Sequence, residues 1–218
     1  MMKEEPQDGD FFLGGAEEQH TGELGILEKV SEIANGEHQT TNSNGHVPQL
    51  VWHHKFTNST SAVQKASLCT PAPTKGSRVL YILVFHKLRP ITELRSGEDL
   101  FNVWHQCILC HLTLWKEGVH HRNVSPGNLM WYWKDGKRIG VFNDYDLSSL
   151  VDEPGPRGNE RTGTVPFMAL DLLTAKARRD EVKRLYRHDL ESFIWVFAWI
   201  SLRYENGALL PAEIAPLG

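Results

Sequence analysis

Apolar residues recur along this chain with two periods, and each change of period marks an element. Ile26, Leu27, Val30 and Ile33 fall at helical spacing, so a helix is predicted from Glu23 to Asn35, with Gly36 as its stop. Val47 to Phe56 and Val79 to Phe85 read as strands. Between them, Thr57 to Ser77 is rich in Ser, Thr, Ala and Pro, the composition of a long mobile loop. A second helix is expected from Leu100 to Gly118, with Phe101, Trp104, Ile108, Leu112 and Trp115 along one face. Leu129 to Trp133 and Arg138 to Phe142 flank Lys134-Asp135-Gly136-Lys137, and an Asp-Gly pair between apolar runs is a strong hairpin signal. A last helix, Asp189 to about Tyr204, carries Phe193, Ile194, Trp195, Val196, Phe197, Trp199 and Ile200; apolar nearly all round, it is predicted to be buried on all sides. Met1 to Gly22 is acidic and Gly-rich and is expected to be poorly ordered, and Asp152 to Thr164 is a Gly/Pro-rich connection.

Composition narrows the class. The chain has 218 residues, of which 40% are apolar, enough for one domain or a small lobe plus a larger one. A net charge of −4 argues against a nucleic-acid-binding surface. Cys69, Cys107 and Cys110 are few and odd in number, which suggests a reducing, intracellular setting, cytoplasmic or nuclear, rather than a disulfide scaffold. Cys107 and Cys110 form a C-x-x-C without a second ligand pair, so a zinc site is not expected, and the histidines His53, His54, His120 and His121 repeat no ligand spacing. The first residues lack the apolar core of a signal peptide, and the longest apolar run, Phe193 to Leu202, is too short to span a membrane.

The hairpin carries the chemistry. Asn128 stands immediately before its first strand and Asp144 just after its second, so an amide and a carboxylate lie at the two outer ends, close in space. Two oxygen ligands so placed could hold a hard cation such as Mg²⁺.

Four segments in order extend this pattern: His121-Arg122-Asn123-Val124-Ser125-Pro126-Gly127-Asn128-Leu129-Met130, then Gly140-Val141-Phe142-Asn143-Asp144-Tyr145-Asp146-Leu147, then Arg161-Thr162-Gly163-Thr164-Val165-Pro166-Phe167-Met168-Ala169, then His188-Asp189-Leu190-Glu191-Ser192. Together they resemble the catalytic loop, metal loop, substrate loop and central helix of the fungal-type protein kinases, well over Val79 to Leu202 and loosely before that. The resemblance implies an α+β, bilobal fold, with a partial small sheet lobe over residues 1–86, a partial helical lobe over residues 87–218, and pieces absent at both ends. It implies ATP and Mg²⁺ as cofactors and a protein substrate or partner. Asn128 and Asp144 resemble the two magnesium ligands.

Other roles follow from the same resemblance. Glu23 stands where the regulatory helix carries its glutamate, and Lys3, twenty residues earlier, is the candidate for the lysine that grips the phosphates. No Gly-rich phosphate loop precedes Lys3. Lys87 opens the hinge segment between the lobes. Arg122 resembles the arginine that docks a phosphorylated activation loop, with Thr162 and Thr164 the nearest hydroxyls; Thr164 also matches a threonine that hydrogen-bonds the catalytic loop. His121 resembles a core histidine that braces this loop. Asp171 takes the place of a glutamate whose partner arginine is expected beyond Gly218. Asp189 matches a helix-start aspartate that bonds the catalytic loop, and it would also serve as an N-cap.

Asn123 departs from the family, which has Asp there to accept the proton of the attacking hydroxyl. An amide cannot accept that proton at neutral pH, and loss of a general base typically costs about 10²–10⁴-fold. The sequence therefore fits a weak Ser/Thr protein kinase or a non-catalytic pseudokinase interaction module. A small-molecule phosphotransferase, suggested by Ser125-Pro126-Gly127-Asn128, is opposed by the Thr162 to Ala169 segment, which resembles a protein-substrate loop.

Overall fold

The computed structural model describes residues 9–17, 22–36, 43–59, 78–151, 163–179, 181–211 and 213–214. Lys3, Arg161, Thr162 and most of the expected loop over 57–77 lie outside these residues. The first sheet has the order β1-β3-β2, with β1 (Gly9–Glu17), β2 (Leu50–Ser59) and β3 (Arg78–His86) all antiparallel. Helix α1 (Glu23–Asn35) begins with Glu23 in its first turn, where the helix dipole favours a carboxylate. It buries Ile26, Leu27, Val30 and Ala34, which join Tyr81, Leu83 and Phe85 of β3 in one core cluster. Burying each large aliphatic side chain of this kind stabilises by roughly 1.5–3 kcal/mol.

Two expectations change here. Residues 9–17 form a strand, although the segment containing them was expected to be poorly ordered: all nine pair with β3, from Gly9 opposite His86 to Glu17 opposite Arg78. Strand β2 starts at Leu50, three residues later than the pattern predicts. Pro48 lacks an N–H for the ladder, and the turn before it is held elsewhere. There His46 Nδ1 lies 2.7 Å from the carbonyl of Gly140, and the His46 carbonyl accepts the Phe142 N–H at 3.0 Å.

Lys87 and Leu88 carry the chain to the second sheet, of order β4-β6-β7, where β4 (Arg89–Pro90) flanks the hairpin of β6 (Leu129–Lys134) and β7 (Lys137–Phe142). The hairpin matches its sequence signal. Asp135 and Gly136 have φ of 48° and 74°, both left-handed, as a two-residue type I′ turn requires.

Helix α2 (Gly97–Lys116) is capped by Ser96, whose side chain accepts the Asp99 N–H. Its buried stripe is Val103, Cys107, Cys110, His111 and Leu114, rotated from the expected Phe101–Trp115 face. Small residues allow the difference: a Cβ on Gly140 of β7 would lie 2.6 Å from the Val103 carbonyl, so hairpin and helix meet there nearly backbone to backbone. The large rings spread to the side and meet the last long helix, where Trp104 and Phe197 rings lie 4.8 Å apart and Trp104 Nε1 donates to the Phe193 carbonyl.

The remaining elements are β5 (Val119–His120) paired with β8 (Ser149–Leu150), the short α3 (Ala175–Arg178), α4 (Tyr186–Arg203), and β9 (Tyr204–Glu205) paired with β10 (Ala208–Leu209). Helix α4 begins three residues before Asp189, so Asp189 is not its N-cap; the Leu185 N–H is instead accepted by His188 Nδ1. Nor is α4 buried all round. Phe193, Val196 and Ile200 face the core, whereas Ile194 and Trp195 are 55% and 42% exposed, because α2 packs on one side only. Among the described residues no helix is long and apolar enough to cross a membrane.

Candidate active site

The catalytic loop hangs on a buried network. His121 is pushed down to about 3 by burial, so it stays neutral. Its Nε2–H donates to the Asn143 carbonyl at 2.9 Å, and its Nδ1 accepts the Asn123 N–H at 3.3 Å. The ring stacks on Phe142 at 3.9 Å and meets Tyr145 edge-on. Tyr145 is fully buried and donates its hydroxyl to the Phe142 carbonyl, which fixes Asp144 beside it.

Asn128 and Asp144 do converge. Asn128 Nδ2 donates to the Asn123 carbonyl at 2.8 Å and also hydrogen-bonds the Asp144 carboxylate. Asn128 Oδ1 takes no hydrogen bond among the described residues and stays available as a hard oxygen ligand. Burial raises the Asp144 pKa; Asp146 adds repulsion, while the Asp146 N–H, Asn128 and Asn123 oppose the rise. Asp144 has φ of 67° and Arg122 has φ of 70°. Left-handed backbone at a non-glycine residue costs of order 1–3 kcal/mol and persists only where its surroundings over-determine it. Both strained residues flank the same point.

Position 123 ties three segments together. Asn123 Nδ2 donates to Asp144 Oδ2 at 3.2 Å, and its Oδ1 accepts the Thr164 hydroxyl at 3.0 Å. Thr164 thus bonds the catalytic loop, one of its two expected roles. The Arg122 carbonyl accepts from Arg184 Nη2 at 2.8 Å, and Arg184 pairs with Asp189 at 2.6 Å. Asp189 also accepts from His111 Nε2 at 3.0 Å. Asp189 therefore reaches the catalytic loop through Arg184.

Glu23 comes to the same place from α1. Its carboxylate accepts from the Tyr145 backbone N–H and from the Tyr81 hydroxyl at 3.3 Å. Burial, then repulsion from Asp146 and Asp144, pushes it up to about 7. Among the described residues no lysine or arginine pairs with it, and β1 beside it contains neither residue type. Lys87 is exposed in the two-residue link between β3 and β4.

The sequence profile of the fungal protein kinases matches residues 17–201. The chain belongs to the fungal protein kinase family. No curated protein matches its sequence. Among solved structures it is similar to the crystal structure of a kinase domain, at 16% identity and a TM-score of 0.48 over 87% of this chain. The chain spans 54% of that kinase domain.

One expectation for this chain is corrected by the structure. Asp171 has an arginine within the chain: Arg187 Nη2 lies 2.9 Å from its Oδ2. Three further residues emerge only in three dimensions. Arg184 gives no sequence signal, Tyr81 reads as an ordinary strand residue, and His111 is a polar interruption in an apolar helix. Cys107 and Cys110 are buried, and among the described residues no three His, Cys, Asp or Glu side chains are grouped to hold a metal. The Asn128 amide oxygen and the Asp144 carboxylate are hard donors that could hold Mg²⁺, with water and phosphate completing its shell.

Proposed function

We propose that this fungal-type kinase binds Mg²⁺ with a nucleotide and has lost most of its phosphoryl transfer to protein hydroxyls. The observation that carries the proposal is the pair of bonds made by Asn123. An aspartate there would leave a carboxylate for the substrate proton; the amide gives its N–H to Asp144 and its oxygen to Thr164. Nothing at this position can take a proton at neutral pH.

The metal residues fit a retained binding role. Asn128 and Asp144 would hold the Mg²⁺, which when bound neutralises charge on the transferring phosphate. Asn128 fixes the catalytic loop through the Asn123 carbonyl, and Asn123 steadies Asp144 through its amide. A second reading, a purely non-catalytic interaction module, draws support from the absence of a cation paired with Glu23 among the described residues. A small-molecule substrate is disfavoured by the Gly163 to Met168 segment that packs against the catalytic loop.

Two measurements separate these readings. ATP with Mg²⁺ at a hundredfold excess over its Kd should stabilise the chain by about 2.7 kcal/mol in a thermal unfolding assay, and ATP without Mg²⁺ should do less. No shift under either condition would favour the interaction module. Asn123→Asp is expected to leave turnover on a generic protein substrate within about tenfold, because among the described residues no cation accompanies Glu23 to position the phosphates. A gain of about 10²-fold or more would overturn the proposal and restore a kinase short only of its base.

A further inference from the structure

β2 is an edge strand, and it is an unusual edge. In the order β1-β3-β2 it pairs with β3 alone, and among the described residues no strand lies on its other side. Such an edge presents a row of unpaired N–H and C=O groups, which natural proteins blunt with charges, prolines or a covering segment. Residues Val51 to Phe56 contain no proline and a single lysine, Lys55.

The outward face of this edge is aromatic. Trp52 and His54 rings stack at 5.9 Å with an interplanar angle of 8°, and His54 meets Phe56 edge-on at 4.8 Å. Trp52 is 52% exposed and Phe56 38%. Register places Trp52 opposite Val84 and His54 opposite Ile82, so the ladder continues onto β3. Alternation along β3 adds Leu80, itself 41% exposed, to the same face. Exposed aromatic residues beside an open strand edge are the materials of strand addition, in which main-chain bonds give affinity and alternate side chains give specificity.

Charge selects the occupant. Neither β2 nor β3 contains a carboxylate, whereas β2 carries Lys55 and β3 carries Arg78, in a chain whose net charge is −4. A second copy would bring a β2 strand as free of carboxylates as this one, with nothing to pair Lys55. We infer that the β2 edge docks an extended protein segment in which acidic residues alternate with apolar ones. The acidic residues would share the face of His53 and Lys55, and the apolar ones the face of the Trp52–His54–Phe56 ladder. The site ends near Leu50, where a groove of about 510 Å³ against α1 is lined by Glu28 and Glu32 and would repel acidic residues. This inference stands apart from the nucleotide site.

The probe is a synthetic peptide, acetyl-Glu-Val-Glu-Val-Glu-Phe-Glu-Val-Glu-amide, titrated against the whole chain and followed by the backbone amide resonances of β2. Binding is expected, with the same peptide carrying Lys for Glu at least about tenfold weaker. Lys55→Glu and Trp52→Ser, both at exposed positions, should each weaken the Glu peptide about tenfold. Methylating the peptide's backbone nitrogens at alternate residues should abolish binding in one register and spare it in the other, because only one set of N–H groups faces the strand. Three results would overturn the inference: no binding, equal binding of the Glu and Lys peptides, or tolerance of methylation in both registers. A concentration-dependent dimer that excludes the peptide would assign the edge to a second copy and overturn it as well.

Discussion

Asp189 and Glu23 are carboxylates removed from water in one molecule, and they titrate in opposite directions. Burial raises both. At Asp189 the hydrogen bond from His111 and the Arg184 guanidinium outweigh it and hold the group well below the usual carboxylate range. At Glu23 the neighbours are Asp146 and Asp144, and the Tyr81 hydroxyl and Tyr145 N–H only partly offset them, leaving a value of about 7. Desolvation is common to both; the sign is decided by whether a cation accompanies the burial. One carboxylate anchors the loop that carries Asn123, and the other stands beside Asp144 and Asp146 with no cation paired to it among the described residues.

Breaking the satisfied site should have the largest effect. Asp189→Ala leaves His111 and Arg184 facing an empty buried position, and removing one partner of a buried ion pair costs about 3–5 kcal/mol. Urea unfolding at pH 7 measures it. Because the folded pKa of Asp189 is depressed, its contribution is present above the unfolded carboxylate value of about 3.9 and is lost as pH falls through and below it. The wild type should therefore lose stability in acid more steeply than Asp189→Ala. A cost under about 1 kcal/mol, with unchanged acid sensitivity, would remove Asp189 as the anchor.

Relieving the frustrated site should have the opposite sign. With its pKa raised from 4.5 to about 7, Glu23 binds its proton more tightly in the folded state. Stability is then greatest below the ordinary value and declines as pH rises through the interval up to about 7. Glu23→Gln keeps a hydrogen-bonding oxygen and removes the charge. It is expected to stabilise the chain by about 2–3 kcal/mol at pH 8 and to change little at pH 4.5. Mg²⁺ at Asp144 would neutralise part of the repulsion and narrow the gap at pH 8. A Glu23→Gln variant less stable than wild type at pH 8 would mean that a cation does accompany Glu23.

How much of this was legible in the sequence depends on the distance over which each feature is decided. The hairpin is local: Asp135-Gly136 accepts left-handed φ, and that fixes Asn128 and Asp144 at its open end. Helix α1 matched its predicted bounds for the same reason, since its apolar spacing and Gly36 lie within a single segment. Strand β1 was missed because Gly9, Gly14 and Gly15 give it little strand propensity, and its pairing with β3 is some seventy residues away. The face of α2 was misjudged because it has two neighbours; close approach to β7 selects its small residues, and the large rings turn to α4. The Arg184–Asp189–His111 chain joins α2, a loop and α4, so no local pattern announces it. Asp171 was assigned a partner too far away for a simpler reason: Arg187 lies sixteen residues on, and no motif in the sequence marks it as the partner.

That last pair supplies the smallest effect and a control for the comparison. Asp171 and Arg187 approach as closely as many buried pairs, with 2.9 Å between Oδ2 and Nη2, but their side chains are 56% and 68% exposed. Asp189 and Arg184 are 0% and 18% exposed. The chemical groups are the same; Asp189 differs in being buried, in meeting both Nε and Nη2 of Arg184, and in its 3.0 Å bond from His111, where Asp171 has His188 only at 3.6 Å. In high dielectric the Coulomb gain is small and both side chains surrender rotamer freedom to meet, so exposed pairs contribute about 0–1 kcal/mol. A double-mutant cycle of Asp171→Asn with Arg187→Gln should give a coupling below about 0.5 kcal/mol. In 1 M salt, where the Debye length is about 3 Å, that coupling should vanish while the cost of Asp189→Ala persists. A coupling above about 2 kcal/mol at Asp171 would mean that contact geometry alone sets these energies, and the contrast between Asp189 and Glu23 would then need a cause other than burial with or without a cation.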